Sequence, residues 1–333
     1  MPLPHGEVRA RIGLISLPGL RERNSAISQL WLRTVNVIIA IEMIIIGENI
    51  HIISKAVSAA VKERNARAIQ DLAVAQAEAG VDYIDLNLGP ARKDPEAAEW
   101  LVNTIQAVTD LPLSVDTLNP AAMEAGLKVC RKRPLLNSAS GRTDSKQKML
   151  PLAREYDTGV VLSVLTDKGC PADVESRLES IMETIAYAND LGIPTEDIWV
   201  DPILLPVSAD QKQVAEALEF MKILPEAVPG AKSTLGLSNI SNGTPAELRG
   251  ILNRTYMIML GRAGQYSVIA DALDKDLMSL NRGEMPDIVD LIYRVMDGED
   301  IDLSSLSAKL RDYVKTTRVL LGHTLYSHSW LED

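Results

Sequence analysis

The sequence contains little of the material that several common kinds of functional site require. Among 333 residues there are four histidines, two cysteines and one phenylalanine, and aromatic residues together make up 4%. Two cysteines, Cys130 and Cys170, are too few for a disulfide framework or a closed zinc site, so a reducing, cytoplasmic setting is expected. The shortage of aromatic residues disfavours a stacking platform for single-stranded nucleic acid.

Positive charge is scarce as well. Aspartate and glutamate number 45 against 34 lysines and arginines, which leaves a net charge of −11. A nucleic-acid surface needs a basic stripe and an acidic membrane attracts basic segments, so neither a nucleic acid nor a membrane is expected as a partner. The apolar stretch over 35–46 is interrupted by Glu42 and is too short to span a bilayer.

Motifs for nucleophilic, phosphate and metal chemistry are missing. The sequence has no G-x-S-x-G elbow and no P-loop. Metal hydrolysis usually needs clustered histidines with carboxylates, but His51, His323 and His328 are scattered. We therefore expect no metal bound by this chain, and a pocket of amides and carboxylates that positions a neutral ligand.

From Met43 onward, short apolar runs alternate with amphipathic helical stretches. About eight runs occur, and their starts lie roughly 25 to 40 residues apart, as βαβ units require. This count predicts an α/β fold of the (β/α)8 TIM-barrel type. An open doubly wound sheet is the alternative, but it usually carries a glycine-rich turn after its first strand, and Gly47-Glu48-Asn49 is no such turn.

Local signals give bounds for several elements. One long helix is predicted over 58–79, the seventh strand over 233–237 and a helix over 246–261. Two further helices are predicted after the eighth strand, over 286–296 and 306–321.

The first 42 residues differ from the rest. They are rich in arginine, poor in acids and show no clear period. We expect residues 1–42 to be an N-terminal extension, not native or else disordered, with Met43 as the natural start and residues 43–333 as the barrel domain. A tail that caps the barrel is the alternative.

Polar residues stand where the predicted strands end. In a barrel of parallel strands these ends share one rim, where barrel enzymes react. Any single one could be a helix cap or a turn residue, but the set together predicts a site. The residues are Glu48, Asn49, Asp85, Asn87, Asp116, Asn137, Asp201, Ser238, Asn239 and Asp271.

Several segments, in order, carry a family resemblance. They resemble the methyltetrahydrofolate:corrinoid/iron-sulfur protein methyltransferases of the pterin-binding TIM-barrel superfamily, which also includes dihydropteroate synthase and the folate module of cobalamin-dependent methionine synthase. No single segment is specific, and their order is the signal. The main ones are Ile45-Ile46-Gly47-Glu48-Asn49-Ile50, Asp85-Leu86-Asn87-Leu88-Gly89-Pro90, Ser114-Val115-Asp116, Leu136-Asn137-Ser138, Asp201-Pro202-Ile203-Leu204-Leu205-Pro206, Leu235-Gly236-Leu237-Ser238-Asn239-Ile240-Ser241 and Asn253-Arg254-Thr255.

The resemblance implies a reaction and roles for residues. It implies transfer of a methyl group between N5 of methyltetrahydrofolate and the cobalt of a cobamide carried by a separate corrinoid protein. Asp116, Asn137 and Asp201 would bind the amino group and ring nitrogens of the pterin, and Asn239 would lie near N5. Asn239 and Asp116 would be the catalytic residues. The remaining pterin-binding residues implied are Ser238, Asn242, Glu48 and Asn87.

The same resemblance implies a cytoplasmic homodimer that could serve the Wood–Ljungdahl pathway, with the direction of transfer open. Two departures from the family pattern stand out. Asn242 replaces a glutamine, and the loop over 243–252 is longer, so a family arginine contact cannot be assigned between Arg249 and its neighbours. Residues 280–312 resemble an insertion. The alternatives are a dihydropteroate synthase-like enzyme, or a folate-binding subunit without catalysis.

Overall fold

Eight short strands separated by helices build the protein in a computed structural model that describes residues 42–89 and 94–332. The strands are β1 (Ile44–His51), β2 (Tyr83–Asn87), β3 (Leu113–Asp116), β4 (Leu135–Ser140), β5 (Gly159–Ser163), β6 (Ile198–Asp201), β7 (Lys232–Ser233) and β8 (Ser267–Ala270).

Eleven α-helices lie in the described ranges. They are α1 (Lys55–Lys62), α2 (Ala66–Ala79), α3 (Pro95–Gln106), α4 (Pro120–Val129), α5 (Thr143–Glu155), α6 (Val174–Asp190), α7 (Gln211–Ala227), α8 (Ala246–Arg262), α9 (Lys275–Asn281), α10 (Pro286–Met296) and α11 (Ala308–Leu320). Many begin at an Asp or Asn cap, as the sequence favours. Asn119, for example, accepts a hydrogen bond from Ala122 N in front of α4.

The strands close into a cylinder. Their order in the sheet is β7-β6-β5-β4-β3-β2-β1-β8, and all the pairs are parallel. A parallel bridge between Gly236 and Ile269 joins the two ends of this order, and Ile269 N donates to Leu235 O at 2.8 Å. The predicted (β/α)8 barrel is confirmed.

Two predicted elements differ from the structure. The single helix expected over 58–79 is two helices, α1 and α2, because Arg64 takes a φ of 54° and Asn65 then caps α2 by accepting from Ala68 N. The strand expected over 233–237 is regular only at Lys232–Ser233, with a single further bridge at Gly236, and a 3-10 turn occupies Leu237–Ser241. Ser238 and Asn239 therefore stand on a turn rather than on a strand.

The inside of the barrel has an apolar layer below a polar layer. Ile46, Leu135, Val161 and Trp199 form a separate buried cluster near the amino ends of their strands. Trp199 lies between the rings of Tyr83 and Tyr266, at centroid distances of 5.6 and 5.2 Å with edge-on geometry. Three of the few aromatic residues thus pack together at this end of the cylinder.

The polar layer follows from strand geometry. Residues two apart on a strand point to the same face, so an inward residue is followed by another inward residue one step nearer the carboxyl end. Asp85 and Asn87 follow Tyr83 on β2 in this way. Asp201 likewise follows Trp199 on β6, so one period-2 pattern places acids directly above the apolar layer.

The segment over 280–312 packs on the outside of the barrel. Leu291 and Val295 of α10 form a small buried cluster with Ile301 and with Val314 of α11. Whether it is an insertion relative to other family members stays a prediction. The extension predicted at 1–42 lies, except for Glu42, outside the described residues. Within the described ranges, no helix is both long and apolar enough to cross a bilayer.

Replacing Trp199 with alanine tests the apolar layer. The side chain is 4% exposed and packs edge-on against two tyrosines, so we expect the free energy of unfolding to fall by about 3–5 kcal/mol. Urea unfolding followed by circular dichroism measures it. Leu325→Ala is the control, because Leu325 is 84% exposed and its loss should change stability by less than about 0.5 kcal/mol. Equal effects of the two changes would contradict the assignment of Trp199 to the barrel interior.

Candidate active site

A cavity of about 600 Å³ opens at the carboxyl ends of the strands. We call it the rim cavity. A volume of this size suits a small-molecule ligand. Its polar lining residues are Glu48, Asn49, His51, Asp85, Asn87, Asp116, Ser238, Asn239, Asn242, Arg249, Asn253, Asp271 and Asp274.

Glu48 of β1 faces Ser238 of the turn after β7. Ser238 Oγ donates to Glu48 Oε2 at 3.0 Å, across the point where the barrel closes. Burial raises the pKa of Glu48 to about 7, and the charges of Asp271 and Asp85 raise it further against the Ser238 hydrogen bond and Arg249. A carboxyl with this pKa can both hold and release a proton near neutral pH.

Asn49, beside Glu48, has a structural role. Its Nδ2 donates to Asp271 Oδ1 at 2.6 Å, and its Oδ1 accepts from Ala272 N at 3.1 Å. Its backbone N donates to Gln76 Oε1 at 3.2 Å. A Cβ on Gly47 would lie 2.3 Å from that same Gln76 oxygen, so the approach of Gln76 to β1 requires glycine there.

A second polar group lies deeper, on β2, β3 and β4. The Asp85 side chain is 2% exposed, and its Oδ1 accepts from Ser114 Oγ at 2.6 Å and from Asn137 Nδ2 at 3.2 Å. Burial raises the pKa of Asp85 to about 6, although both hydrogen bonds oppose that rise. Asn137 is held by this group, because its amide nitrogen also lies 3.4 Å from Ser114 Oγ.

Asp116 of β3 is a buried strand-end carboxyl whose surroundings favour its protonated form. Its Oδ2 accepts a hydrogen bond from Asn87 Nδ2, and Asn87 Oδ1 accepts in turn from Gly89 N at 2.8 Å. Burial, followed by the negative charges of Asp85 and Asp201, raises the pKa of Asp116 well above its usual range. Like charges crowded in a dry interior cannot all ionise, so one acid keeps its proton.

Asp201 ends β6. Burial raises the pKa of its carboxyl to about 6, while a hydrogen bond from Ile203 N to Oδ1 at 2.8 Å and the charge of Arg177 oppose that rise. Asp201 is therefore the more readily ionised neighbour of Asp116. At neutral pH Asp201, with a pKa of about 6, is mostly ionised, while burial and the charges of Asp85 and Asp201 favour the protonated form of Asp116.

Asn239 and Asn242 lie at the opening. Asn242 Nδ2 donates to Asn239 Oδ1 at a long 3.4 Å, and both side chains are exposed. A Cβ on Gly236 would come within 3.0 Å of Asn239 Nδ2, so this glycine leaves room for the amide. An exposed amide with one weak contact is free to hydrogen-bond a ligand.

Helix α8 contributes residues that the sequence reasoning left out of the site. Ala246, Arg249, Gly250 and Asn253 line the rim cavity, and their spacing of three and four residues is one face of a helix. Arg249 Nε donates to Ser241 Oγ at 3.3 Å, and Asn253 Oδ1 is buried without a partner in the described part of the chain. The helical period was the signal that could have identified this face.

The structure brings together most of the predicted site residues. Glu48, Asn87, Asp116, Ser238, Asn239 and Asn242 all line the rim cavity. Asn137 and Asp201 do not belong to the lining set, although Asn137 bonds to Asp85 and Asp201 acts electrostatically on Asp116. Their predicted contacts with the pterin stay predictions.

His51 also lines the rim cavity. Burial lowers the pKa of its imidazole, with Asp271 opposing. Within residues 42–89 and 94–332, no three His, Cys, Asp or Glu side chains are grouped so that they could hold a metal ion.

The fold and the site together define the class of protein. The family model described as pterin binding enzyme matches residues 54–264, which is more than half of the chain, and the chain therefore belongs to this family of pterin-binding enzymes. The predicted resemblance to the pterin-binding barrels is confirmed.

Two relatives are similar to this chain over about two thirds of its length or more. A methylcorrinoid:tetrahydrofolate methyltransferase from Eubacterium limosum is 31% identical over 239 residues, which cover 71% of this chain and 88% of that protein. Methionine synthase from Mycobacterium leprae is 25% identical over 245 residues, covering 69% of this chain but 20% of that protein.

Solved structures agree on the fold. Dihydropteroate synthase from Xanthomonas albilineans with 4-aminobenzoic acid superposes with a TM-score of 0.55 at 18% identity, covering 78% of this chain and 94% of that one. Dihydropteroate synthase from Yersinia pestis with a pterine-sulfa conjugate gives 0.55 at 14% identity, covering 74% and 94%. At these identities the likeness concerns the fold alone.

The variant Glu48→Gln tests the proton held in the rim cavity. Because the folded pKa of about 7 exceeds the ordinary value of 4.5, the folded chain keeps a proton that the unfolded chain loses between these values. The wild type therefore loses stability as pH rises through this window, by on the order of 3 kcal/mol, and Glu48→Gln does not lose that part. Urea unfolding at pH 5 and pH 8 should show the variant gaining on the wild type at pH 8. A difference between the two proteins that is independent of pH would contradict the raised pKa.

Proposed function

We propose that this protein is a methyltransferase that moves a methyl group between N5 of methyltetrahydrofolate and the cobalt of a corrinoid carried by a separate protein. The observation that carries the proposal is the rim cavity, whose lining is rich in amide and carboxyl side chains. The 31% identity to a methylcorrinoid:tetrahydrofolate methyltransferase over most of both chains supports the reaction. The name of that relative describes transfer of the methyl group from the corrinoid to folate, and the same site can serve both directions.

The acids suit a pterin ring. A 2-amino-pyrimidinone edge presents two N–H donors side by side, and an ionised carboxylate such as Asp201 accepts both. The ring also has acceptor nitrogens, to which a carboxylic acid that keeps its proton, such as Asp116, can donate. The unequal pKa values of these two acids thus match the mixed donor and acceptor edge of the ligand.

The reaction needs a proton at N5. When Co(I) attacks the methyl carbon, the C–N electron pair remains on N5, the cobalt becomes methyl-Co(III), and N5 must take up one proton. An amide cannot supply it, so Asn239 orients the amine or a water by a hydrogen bond that tightens in the transition state. Glu48, with a pKa of about 7, supplies the proton from the same cavity.

A dihydropteroate synthase reaction is less well supported. Its diphosphate substrate needs several cationic side chains, and Arg249 is the only lysine or arginine among the described residues lining the rim cavity. The dihydropteroate synthases from Xanthomonas albilineans and Yersinia pestis share 14–18% identity with this chain, and a likeness at that level concerns the fold alone.

Finer points rest on the family resemblance. The corrinoid stays on its partner protein, which approaches the open mouth of the rim cavity. The chain acts as a cytoplasmic homodimer, and the Wood–Ljungdahl pathway is one setting where methyl leaves folate for a corrinoid. Size-exclusion chromatography with light scattering tests the dimer.

A spectral assay tests the function. The protein is mixed with methyltetrahydrofolate and cobalamin reduced to Co(I), and we expect methylcobalamin to form at a rate proportional to protein. Binding of methyltetrahydrofolate without methyl transfer to free cobalamin or to a Co(I) corrinoid protein would instead identify a folate-binding subunit. The absence of folate binding would overturn the proposal.

Two substitutions should separate turnover from affinity. Asn239→Ala removes a hydrogen bond that strengthens in the transition state. We expect the activation free energy to rise by about 2–4 kcal/mol, which lowers kcat, with little change in KM. Asp201→Ala removes a ground-state contact, and we expect mainly a raised KM for folate.

Matched controls on the helix surface are Asn103→Ala and Asp190→Ala, both at exposed positions. Neither should change kcat or KM. Wild-type turnover in Asn239→Ala would rule out its role near N5.

A further inference from the structure

Arg177, in the first turn of α6, is a fully buried arginine outside the rim cavity. Its side chain has no exposed surface, and it is one of the largest completely buried side chains in the protein. A guanidinium stays protonated at any accessible pH. Burying such a charge is unfavourable unless something in the interior compensates it.

The direct contacts of Arg177 do not supply that compensation. Its Nη2 donates to Gln213 Oε1 of α7 at 2.7 Å, and its Nε and Nη1 have no acceptor among the described residues. None of the described carboxylates forms an ion pair with it. Gln213 is itself fixed, because its Nε2 donates to Ala172 O at 2.6 Å. The guanidinium is therefore held in place by a neutral amide.

The charge of Arg177 acts on Asp173, Tyr256 and Asp201. Asp173 caps α6 but is exposed to solvent, where its charge is screened. Tyr256 is buried, its hydroxyl donates to Val214 O at 2.9 Å, and burial keeps it neutral. The remaining group is Asp201, at the end of β6. Helix α6 packs against this strand end, because Ser180 Oγ donates to Val164 O at 2.9 Å and Val164 N donates to Asp201 O at 3.0 Å.

Asp201 keeps one oxygen available to a ligand. Its Oδ1 accepts from Ile203 N, whereas its Oδ2 accepts no hydrogen bond from the described residues. A directly bonded arginine would occupy these acceptor positions. A charge placed farther away stabilises the carboxylate through the low dielectric of the interior and leaves its acceptor capacity free.

We propose that Arg177 is a positioning residue for the folate site, whose buried charge, held by Gln213 between α6 and α7, keeps Asp201 ionised so that it can accept N–H groups of the pterin. The inference rests on the proposed function and deepens it, because it explains how one acid in a crowd of carboxyls stays charged. Arg177 itself does not touch the substrate.

The variant Arg177→Met tests this role through the pH dependence of folate binding. Asp201 has a pKa of about 6 with Arg177 present, so wild-type affinity should be lost as pH falls through about 6. Without the positive charge, the carboxyl protonates more easily and the loss should begin at higher pH. We expect the midpoint to rise by about one pH unit, which gives about fivefold weaker binding at pH 6 and about tenfold weaker binding well below it, with wild-type affinity recovered by pH 8.5.

The measurement is the titration of methyltetrahydrofolate by calorimetry from pH 5 to pH 8.5. Protonation of the ligand itself affects every protein equally and cancels in the comparison. Arg177→Lys keeps the charge and should restore the midpoint toward the wild type. Arg262→Met is the matched control, because Arg262 pairs with Asp297 on the outer helices, and it should leave the midpoint unchanged.

Structural and electrostatic roles separate in this design. A purely structural role would lower the melting temperature in Arg177→Met and leave the pH midpoint in place, which would overturn the inference. In an Asp201→Asn background, adding Arg177→Met should cause no further shift.

A second variant serves if Arg177→Met does not fold. Gln213→Leu releases the guanidinium and should raise the pH midpoint of folate binding, and an unchanged midpoint in Gln213→Leu would also overturn the inference. Failure of the wild type to bind folate would refute the proposed function instead.

Discussion

Closing a parallel sheet into a cylinder forces the inward side chains of all eight strands into one narrow space, and the site depends on this constraint. The alternation along each strand lets only every second residue enter that space. Trp199 and Tyr83 fill it near one end. Two residues further along the same strands stand Asp201 and Asp85. Apolar packing below therefore fixes the height at which the acids above are held.

Crowding carboxyls in that space has electrostatic consequences. Each acid loses hydration, and the charge on one raises the cost of ionising the next. Hydrogen bonds from Ser114 and Asn137 favour the ionised form of Asp85, and a backbone N–H and the charge of Arg177 favour that of Asp201. The charges of these two acids in turn favour the protonated form of Asp116. A row of similar residues thus becomes a set of groups with different protonation states, which a heterocycle with both donors and acceptors requires.

The local failures of sequence reasoning have physical causes. Asn65 caps α2 and interrupts what looked like one helix, because a side chain that bonds the backbone outweighs a continuous apolar period. The pairing of β7 is short because the chain after Gly236 turns to present Ser238 and Asn239 at the opening. The face of α8 was missed because the candidate residues were taken from strand ends, whereas these residues belong to a helix.

The sequence by itself determined the barrel count, the polar strand ends and the family resemblance, because each is written in local periodicity and in the order of short segments. It also identified Glu48, Asn87, Asp116, Ser238, Asn239 and Asn242, which line one cavity. Only the tertiary structure decided which acids lie close enough to perturb each other, that Asn137 supports Asp85, and that Arg177 is buried against Gln213. These relations join residues far apart in the chain, and charges interact through space rather than through sequence.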